Sequence, residues 1–215
     1  MKRNLTTGSI WKNIFYFSLP YLLSYFLQTL YGMADLFIIG QFDGAASTTA
    51  VSIGSQVMHM ITVIIVGLAM GTTVSIAQAV GAKDKKQASR CTGNTITLFL
   101  GVSVVLMVIL LLLVKPIVLV MSTPSEAVSG TVAYLTICFI GIPFITAYNI
   151  ISSIFRGLGD SKSPMYFIAV ACAANIALDY LFMGALHLGP SGAALGTTPF
   201  PDTQRHSGTD CDPQT

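Results

Sequence analysis

Long apolar runs alternate with short polar breaks along this chain. The runs occupy residues 14–40, 48–72, 95–114, 131–155 and 165–186. Each reaches the roughly 20 residues that a helix needs to cross a 30 Å hydrocarbon layer. The second run carries no Asp, Glu, Lys or Arg between Asp43 and Lys83, so its apolar character extends to residue 81. The third contains VVLMVILLLLV, and Lys115-Pro116 is expected to end it. The breaks fall at residues 42–46, 83–90, 121–130, 156–164 and 189–192. Residues 193–198 read as the start of a sixth span. The pattern predicts an all-α polytopic membrane bundle with five complete transmembrane helices and a stub of a sixth.

Composition agrees. Of 215 residues, 53% are hydrophobic and 9% charged, against about 25% charged in soluble domains. Mean hydropathy is +0.72. A formal charge of +2 gives no hint of nucleic-acid binding. Cys91, Cys138, Cys172 and Cys211 form no C-x-x-C pair and read as free thiols. The N-terminal lead, residues 1–13, resembles the charged start of a signal peptide. The apolar run behind it is too long for a signal core and no small-residue cleavage site closes it, so it reads as a retained first span.

Lys and Arg set the orientation. The lead, the 83–90 break and the 156–162 stretch hold nine of them, whereas the opposite loops before the tail hold only Lys115. The N-terminus is therefore expected in the cytoplasm, with the chain in the plasma (inner) membrane. The basic stretch at 83–90 reads as a solvated topology signal touching anionic headgroups.

The first run carries a polar stripe. Ser24, Gln28, Tyr31 and Asp35 are spaced by four, three and four, which aligns them on one side of a helix. A charge within a span costs at least about 2.5–3.5 kcal/mol on insertion scales. Asp35 falls five to seven residues from its end of the span, roughly 10 Å at the helical rise. Asp179 in the fifth run lies at a similar depth, with Asn175 one turn deeper on its face and Thr197 at matching depth in the sixth. If the two carboxylates meet, one holds a proton or a cation sits between them. These oxygen-type ligands suit a proton or a hard ion such as sodium, and no other metal. The alternative is that each aspartate separately hydrogen-bonds a neighbouring helix. His59 reads as an interior residue with satisfied hydrogen bonds, and Asn149 as an interhelical hydrogen bonder.

Several motifs taken together resemble one family. They are Pro20 with Asp35 fifteen positions on, the G-A-K-D turn, F-R-G-L-G-D-S-K-S-P, the N-x-x-x-D of residues 175–179, and G-P-S-G-A-A-L-G-T. Over residues 5–198 the chain resembles the multidrug and toxic compound extrusion (MATE) family. That resemblance implies the N-terminal lobe of a twelve-helix fold with two six-helix lobes. It implies export of cationic or amphipathic drugs in exchange for protons or sodium, with no cofactor and no enzymatic activity. By motif, the cation site would be Asp35, Asn175, Asp179 and Thr197. Gln28, Tyr31 and Tyr134 are substrate-cavity candidates, and Pro20 would permit bending of the first helix.

The chain departs from that pattern after residue 198. The family needs a second lobe, and PFPDTQRHSGTDCDPQT has three prolines and three acids. Residues 199–215 are expected to be an unrelated disordered tail, and residues 14–198 a truncated or frame-shifted lobe lacking the C-terminal lobe that transport requires. A non-functional fragment and a lipid-linked saccharide flippase are the competing readings. An intramembrane aspartyl protease is a third, because Gly157-Leu158-Gly159-Asp160 fits a G-x-G-D motif. Asp160 lies between Arg156 and Lys162 in a charged turn, which places it far from Asp35 and Asp179.

Overall fold

The structure, a computed structural model, describes residues 9–186 and 188–197, apart from the side chain of Thr197. The first eight residues of the lead and the tail at 199–215 lie outside the described residues. The elements are α1 (Ile10–Phe42), α2 (Ala45–Gly81), α3 (Lys85–Val120), α4 (Val128–Ile140), α5 (Ile142–Gly157), α6 (Lys162–Asp179) and α7 (Gly189–Thr197). A π-helical turn, Tyr180–Ala185, continues α6. The described residues are nearly all helical and contain no strand. Among the described residues four helices are long and apolar enough to cross a membrane, and α4 with α5, bent by 50° at their junction, reach that length together. This is an all-α multi-pass membrane bundle.

Three prolines fall inside helices or their expected spans, and their outcomes differ. A helical proline removes one backbone donor and crowds the carbonyl four residues back. Pro20 is accommodated within the continuous α1. Pro116 does not end α3 as expected, because the helix continues to Val120. Val114 and Val118 on that last stretch are buried in the core, and Thr123 Oγ1 closes the end on the Val118 carbonyl at 2.9 Å. Pro143 breaks the expected continuous span at 131–155. It sits in the first turn of α5, and the chain bends by 50° at Gly141.

The 83–90 break is also shorter than expected. Only residues 82–84 are non-helical, and α3 starts at Lys85 with the Asp84 carboxylate accepting from Gln87 N at 2.9 Å. The sequence shows four cations there, but a carboxylate cap outweighs them locally because it satisfies an orphan backbone donor.

The main core lies at the end of the bundle away from the N-terminus. Ile38 and Ile39 of α1, Leu135 and Phe139 of α4, Met183 and Ala193 meet there. A smaller cluster of Ala69, Phe99 and Ile150 joins α2, α3 and α5 nearer the other end. Between α2 and α5 the backbones approach closely. A Cβ on Gly157 would lie 2.9 Å from Ile76 Cβ and 3.0 Å from the Thr73 carbonyl oxygen. Thr73 Oγ1 donates to the Ser153 carbonyl at 3.1 Å across the same seam.

Two cations clasp the start of α1. Lys162 Nζ donates to Tyr16 Oη at 2.9 Å and lies 4.6 Å from that ring's centre. The Arg156 guanidinium stands 5.2 Å from the centre of the Tyr21 ring. Asp160 organises the turn between them. Its Oδ1 accepts from the amides of Lys162 and Ser163, and its Oδ2 from Ser163 Oγ at 2.6 Å. Partial burial pushes the Asp160 carboxyl up, but these hydrogen bonds outweigh it and hold the group below its ordinary value.

Gly157→Val is expected to cost about 1–3 kcal/mol by overpacking the α2–α5 seam. Its thermal midpoint in detergent should fall well below that of Gly67→Ala, where an added Cβ meets nothing within 4 Å. Equal midpoints would contradict the close approach. A depressed carboxyl stabilises the fold above its unfolded value, near 3.9, and that stability is lost as pH falls through the folded value. Asp160→Asn should therefore flatten the loss of thermal midpoint between pH 7 and pH 3, measured beside the wild type.

Candidate functional site

The α1 stripe does not stay together. Ser24 is buried, and its hydroxyl donates to the Pro20 carbonyl of its own helix at 2.8 Å. Gln28 is exposed and Tyr31 half-buried. Asp35 is 4% exposed, at the level where α1 meets α6 and α7.

α6 supplies the facing groups. Cys172 Sγ donates to the Leu27 carbonyl at 3.6 Å, which pins this face of α6 against α1. One and two turns further on the same face stand Asn175 and Asp179, 5% and 0% exposed. Asp35 and Asp179 are near enough for their charges to act on each other, and the Tyr31 phenol lies in the field of both.

Four oxygens in this cluster have no hydrogen-bond donor among the described residues. They are Asp35 Oδ1, Asn175 Oδ1, and Asp179 Oδ1 and Oδ2. Ionised carboxylates only accept, so a hydrogen bond between the two aspartates exists only when one of them carries a proton. A buried polar atom without a partner costs about 1–3 kcal/mol, and more when charged. Four together, two of them on one carboxylate, make a demanding polar environment. The donor set is purely oxygen, which fits a proton or a hard monovalent cation and does not fit soft metals. No group of three His, Cys, Asp or Glu side chains suited to a metal occurs among the described residues.

α7 closes the cluster with Gly196. A Cβ at that position would run into Asp179 Oδ1 and lie 3.7 Å from Asn175 Nδ2. Sequence reasoning chose Thr197 at this level and missed the glycine beside it. The run G-A-A-L-G was a usable signal, because small residues mark close helix approach in membranes. Thr197 is the last residue of α7, and its side chain lies outside the described residues.

Tyr134, on α4, also lies in the field of Asp35 and Tyr31. Tyr134 is enclosed at the α2–α4 seam, with its hydroxyl 3.1 Å from Ser55 Oγ and its ring against Gly54. His59, expected inside, is exposed. Asn149, expected to bond between helices, donates to Ile145 O of its own helix at 2.8 Å. Cys91, Cys138 and Cys172 are free thiols. Asp160 is separated from Asp179 by the whole of α6, roughly 26 Å at the helical rise. That separation prevents any pairing of Asp160 with the two buried aspartates.

Comparison with known proteins gives one consistent picture. The MatE family model matches residues 20–181. The probable multidrug resistance protein YpnP of Bacillus subtilis is 32% identical over 194 residues, 90% of this chain and 44% of that protein. The probable multidrug resistance protein NorM of Thermotoga maritima is 29% identical over 190 residues, 86% of this chain and 41% of its own length. A MATE multidrug resistance transporter of the MOP superfamily, solved in an outward-facing conformation, superposes with a TM-score of 0.83 at 30% identity. That match covers 89% of this chain and 42% of the transporter. A MOP-superfamily transporter from Pyrococcus furiosus, described as having a binding pocket of reversed polarity, gives 0.84 at 30% identity, over 90% of this chain and 43% of its own. The chain spans less than half the length of the curated relatives it matches.

If Gly196 sets the approach of α7 to the carboxyl pair, Gly196→Ala should destabilise the wild type more than an Asp179→Gly background. A double-mutant cycle on thermal stability should return a coupling of at least about 0.5 kcal/mol, and a coupling of zero would separate the two residues.

Proposed function

The chain belongs to the MatE family, and we propose that it serves a cation-coupled antiporter that exports cationic or amphipathic drugs. One observation supports this above all: the acceptor oxygens of Asp35, Asn175 and Asp179 converge in a buried cluster without donors. Such a cluster is stable when a proton or a sodium ion shares it, and costly when empty and charged. A site with that contrast can take up a cation from one side and surrender it when the surroundings change. The names of the relatives, multidrug resistance and multidrug export proteins, favour drugs as the counter-substrate.

The roles divide as follows. Asp35 and Asp179 hold the cation, Asn175 Oδ1 completes the oxygen set, and Thr197 adds a hydroxyl. Tyr31 borders the cation site, and the exposed Gln28 lies one turn along α1 toward the drug. Pro20 supplies the point at which α1 changes direction as the site loads. The basic stretches favour an N-terminus in the cytoplasm, and the membrane proposed is the plasma membrane. Export further needs a second lobe working against this one, since alternating access moves two halves about a shared site.

Cation binding is testable on the purified chain. The wild type is expected either to retain sodium-22 over choline or to release a proton when a cationic drug is added. Asp35→Asn and Asp179→Asn preserve side-chain volume, and each should lower the signal at least about tenfold by removing one ligand charge. Both variants matching the wild type in both assays, with unchanged helicity, would remove the cation site.

A further inference from the structure

A second polar cluster lies on α5, beside the clasp at the start of α1, and it is the inverse of the carboxyl cluster. There acceptors lack donors; here donors lack acceptors. Tyr148, Ser152 and Arg156 are spaced by four and share one ridge of α5. Tyr148 Oη, Ser152 Oγ and Arg156 Nε are all buried, and none of the three has a hydrogen-bond partner among the described residues. Ser152 is 3% exposed. Tyr148 and Ser152 are near enough to act on each other. Even if one hydroxyl donates to the other, one proton of the pair is left without an acceptor.

The arginine is turned the wrong way for a surface cation. Near a membrane boundary a long basic side chain normally carries its charge out to the headgroups, or answers the open carbonyls at the end of its helix. Arg156 Nη2 instead donates to Ser153 Oγ at 3.1 Å, one turn back toward the start of α5. Its guanidinium stands over the Tyr21 ring of α1. Stacking occupies the face of a guanidinium and leaves the N–H fork along its edge to meet an oxyanion. No carboxylate among the described residues pairs with Arg156, and the groups whose fields reach it are Tyr21 and Tyr148. Asp160, four residues on, is committed to the amides of Lys162 and Ser163 and to Ser163 Oγ. A charge withdrawn from water without a counter-ion is costly, and a basic group inside a span marks a ligand or ion site by default.

We infer that this end of α5 binds a phosphate-type oxyanion, with the Arg156 fork as its main ligand and the Ser152 and Tyr148 hydroxyls as supporting donors. Arg156 is half-buried, so the outer part of its fork is open to an incoming anion while Nε is enclosed. A phosphate group presents several acceptor oxygens, and the site offers it a fork and two hydroxyls with no carboxylate in competition. One helical turn, about 6 Å of rise, separates Arg156 from Ser152. Helical side chains lean toward the start of their helix, so the arginine reaches back over that turn and one oxyanion can meet both groups. A halide offers a single point to a fork that matches two oxygens. Free phosphate and the headgroup of an anionic lipid carry the same chemistry, and both have access to the end of a span.

Calorimetric titration of the detergent-purified 215-residue chain tests this, with inorganic phosphate in one arm, short-chain phosphatidylglycerol in a second and chloride in a third. The wild type should bind phosphate, phosphatidylglycerol or both, and bind chloride more weakly. Binding of phosphatidylglycerol alone assigns the site to a headgroup, and binding of phosphate assigns it to the free anion. Arg156→Lys keeps the charge but not the fork, and should weaken binding at least about tenfold. Ser152→Ala and Tyr148→Phe each remove one donor and leave the Arg156–Tyr21 contact in place, so they carry the test even where Arg156→Lys disturbs the fold. Each should weaken binding at least about threefold at unchanged helicity. Lys85→Ala removes an exposed cation elsewhere and should change nothing. Four results would overturn the inference. They are no wild-type binding of either phosphate ligand, chloride bound as tightly as the better of the two, full wild-type affinity in both hydroxyl variants, and a loss in Lys85→Ala equal to that in Arg156→Lys.

Discussion

Two carboxylates enclosed by helices in a low-dielectric layer set the terms for the rest of this lobe. The interaction between Asp35 and Asp179 is repulsive when both are charged and attractive when they share a proton or cation. Holding them together therefore needs elements that cannot simply part. The Cys172–Leu27 contact fixes α6 on α1 below the pair. Gly196 lets α7 come within touching distance above it. Ile38, Ile39 and Met183 then anchor the same ends of α1 and α6 in the main apolar core. The site is thus backed by the best-packed part of the bundle, and the polar groups are confined to one seam.

The division of labour among helices follows. α2, α4 and α5 are joined by small residues and short hydroxyl contacts such as Thr73 to Ser153 and Ser55 to Tyr134. In a membrane such packing replaces the hydrophobic drive, because lipid is as apolar as leucine. α1 and α3 lie at the margins. Their exposed faces are mostly apolar over the middle of the span.

The succession of apolar helices and the two buried aspartates were legible in the sequence. Both signals are strong because hydrocarbon tolerates neither interruption of an apolar run nor an idle charge. Asp35 and Asp179 can be matched by depth from sequence alone because helical rise is constant. Gly196 was not legible as a wall of the cluster, since a missing side chain gains meaning only from what approaches it. The three prolines were harder still. Each removes the same donor, yet α1 continues, α3 continues for one more turn and the α4–α5 span breaks. Neighbours decide: the buried Val118 holds the end of α3, whereas Gly141, two residues ahead of Pro143, leaves that backbone free to bend. His59 and Asn149 were read from helix face alone, and that cannot tell which face the neighbours cover.

The clasp at the start of α1 has a mechanical corollary. Tyr16 and Tyr21 hold one end on Lys162 and Arg156, and Ile38 and Ile39 hold the other in the core. Between them Leu22, Leu23, Phe26 and Leu30 are exposed. A rod fixed at both ends cannot swing. Any change of angle at Pro20 must appear as bowing or rewinding of the exposed middle, and that motion would turn Tyr31 and Gln28 while the two anchors stay in place.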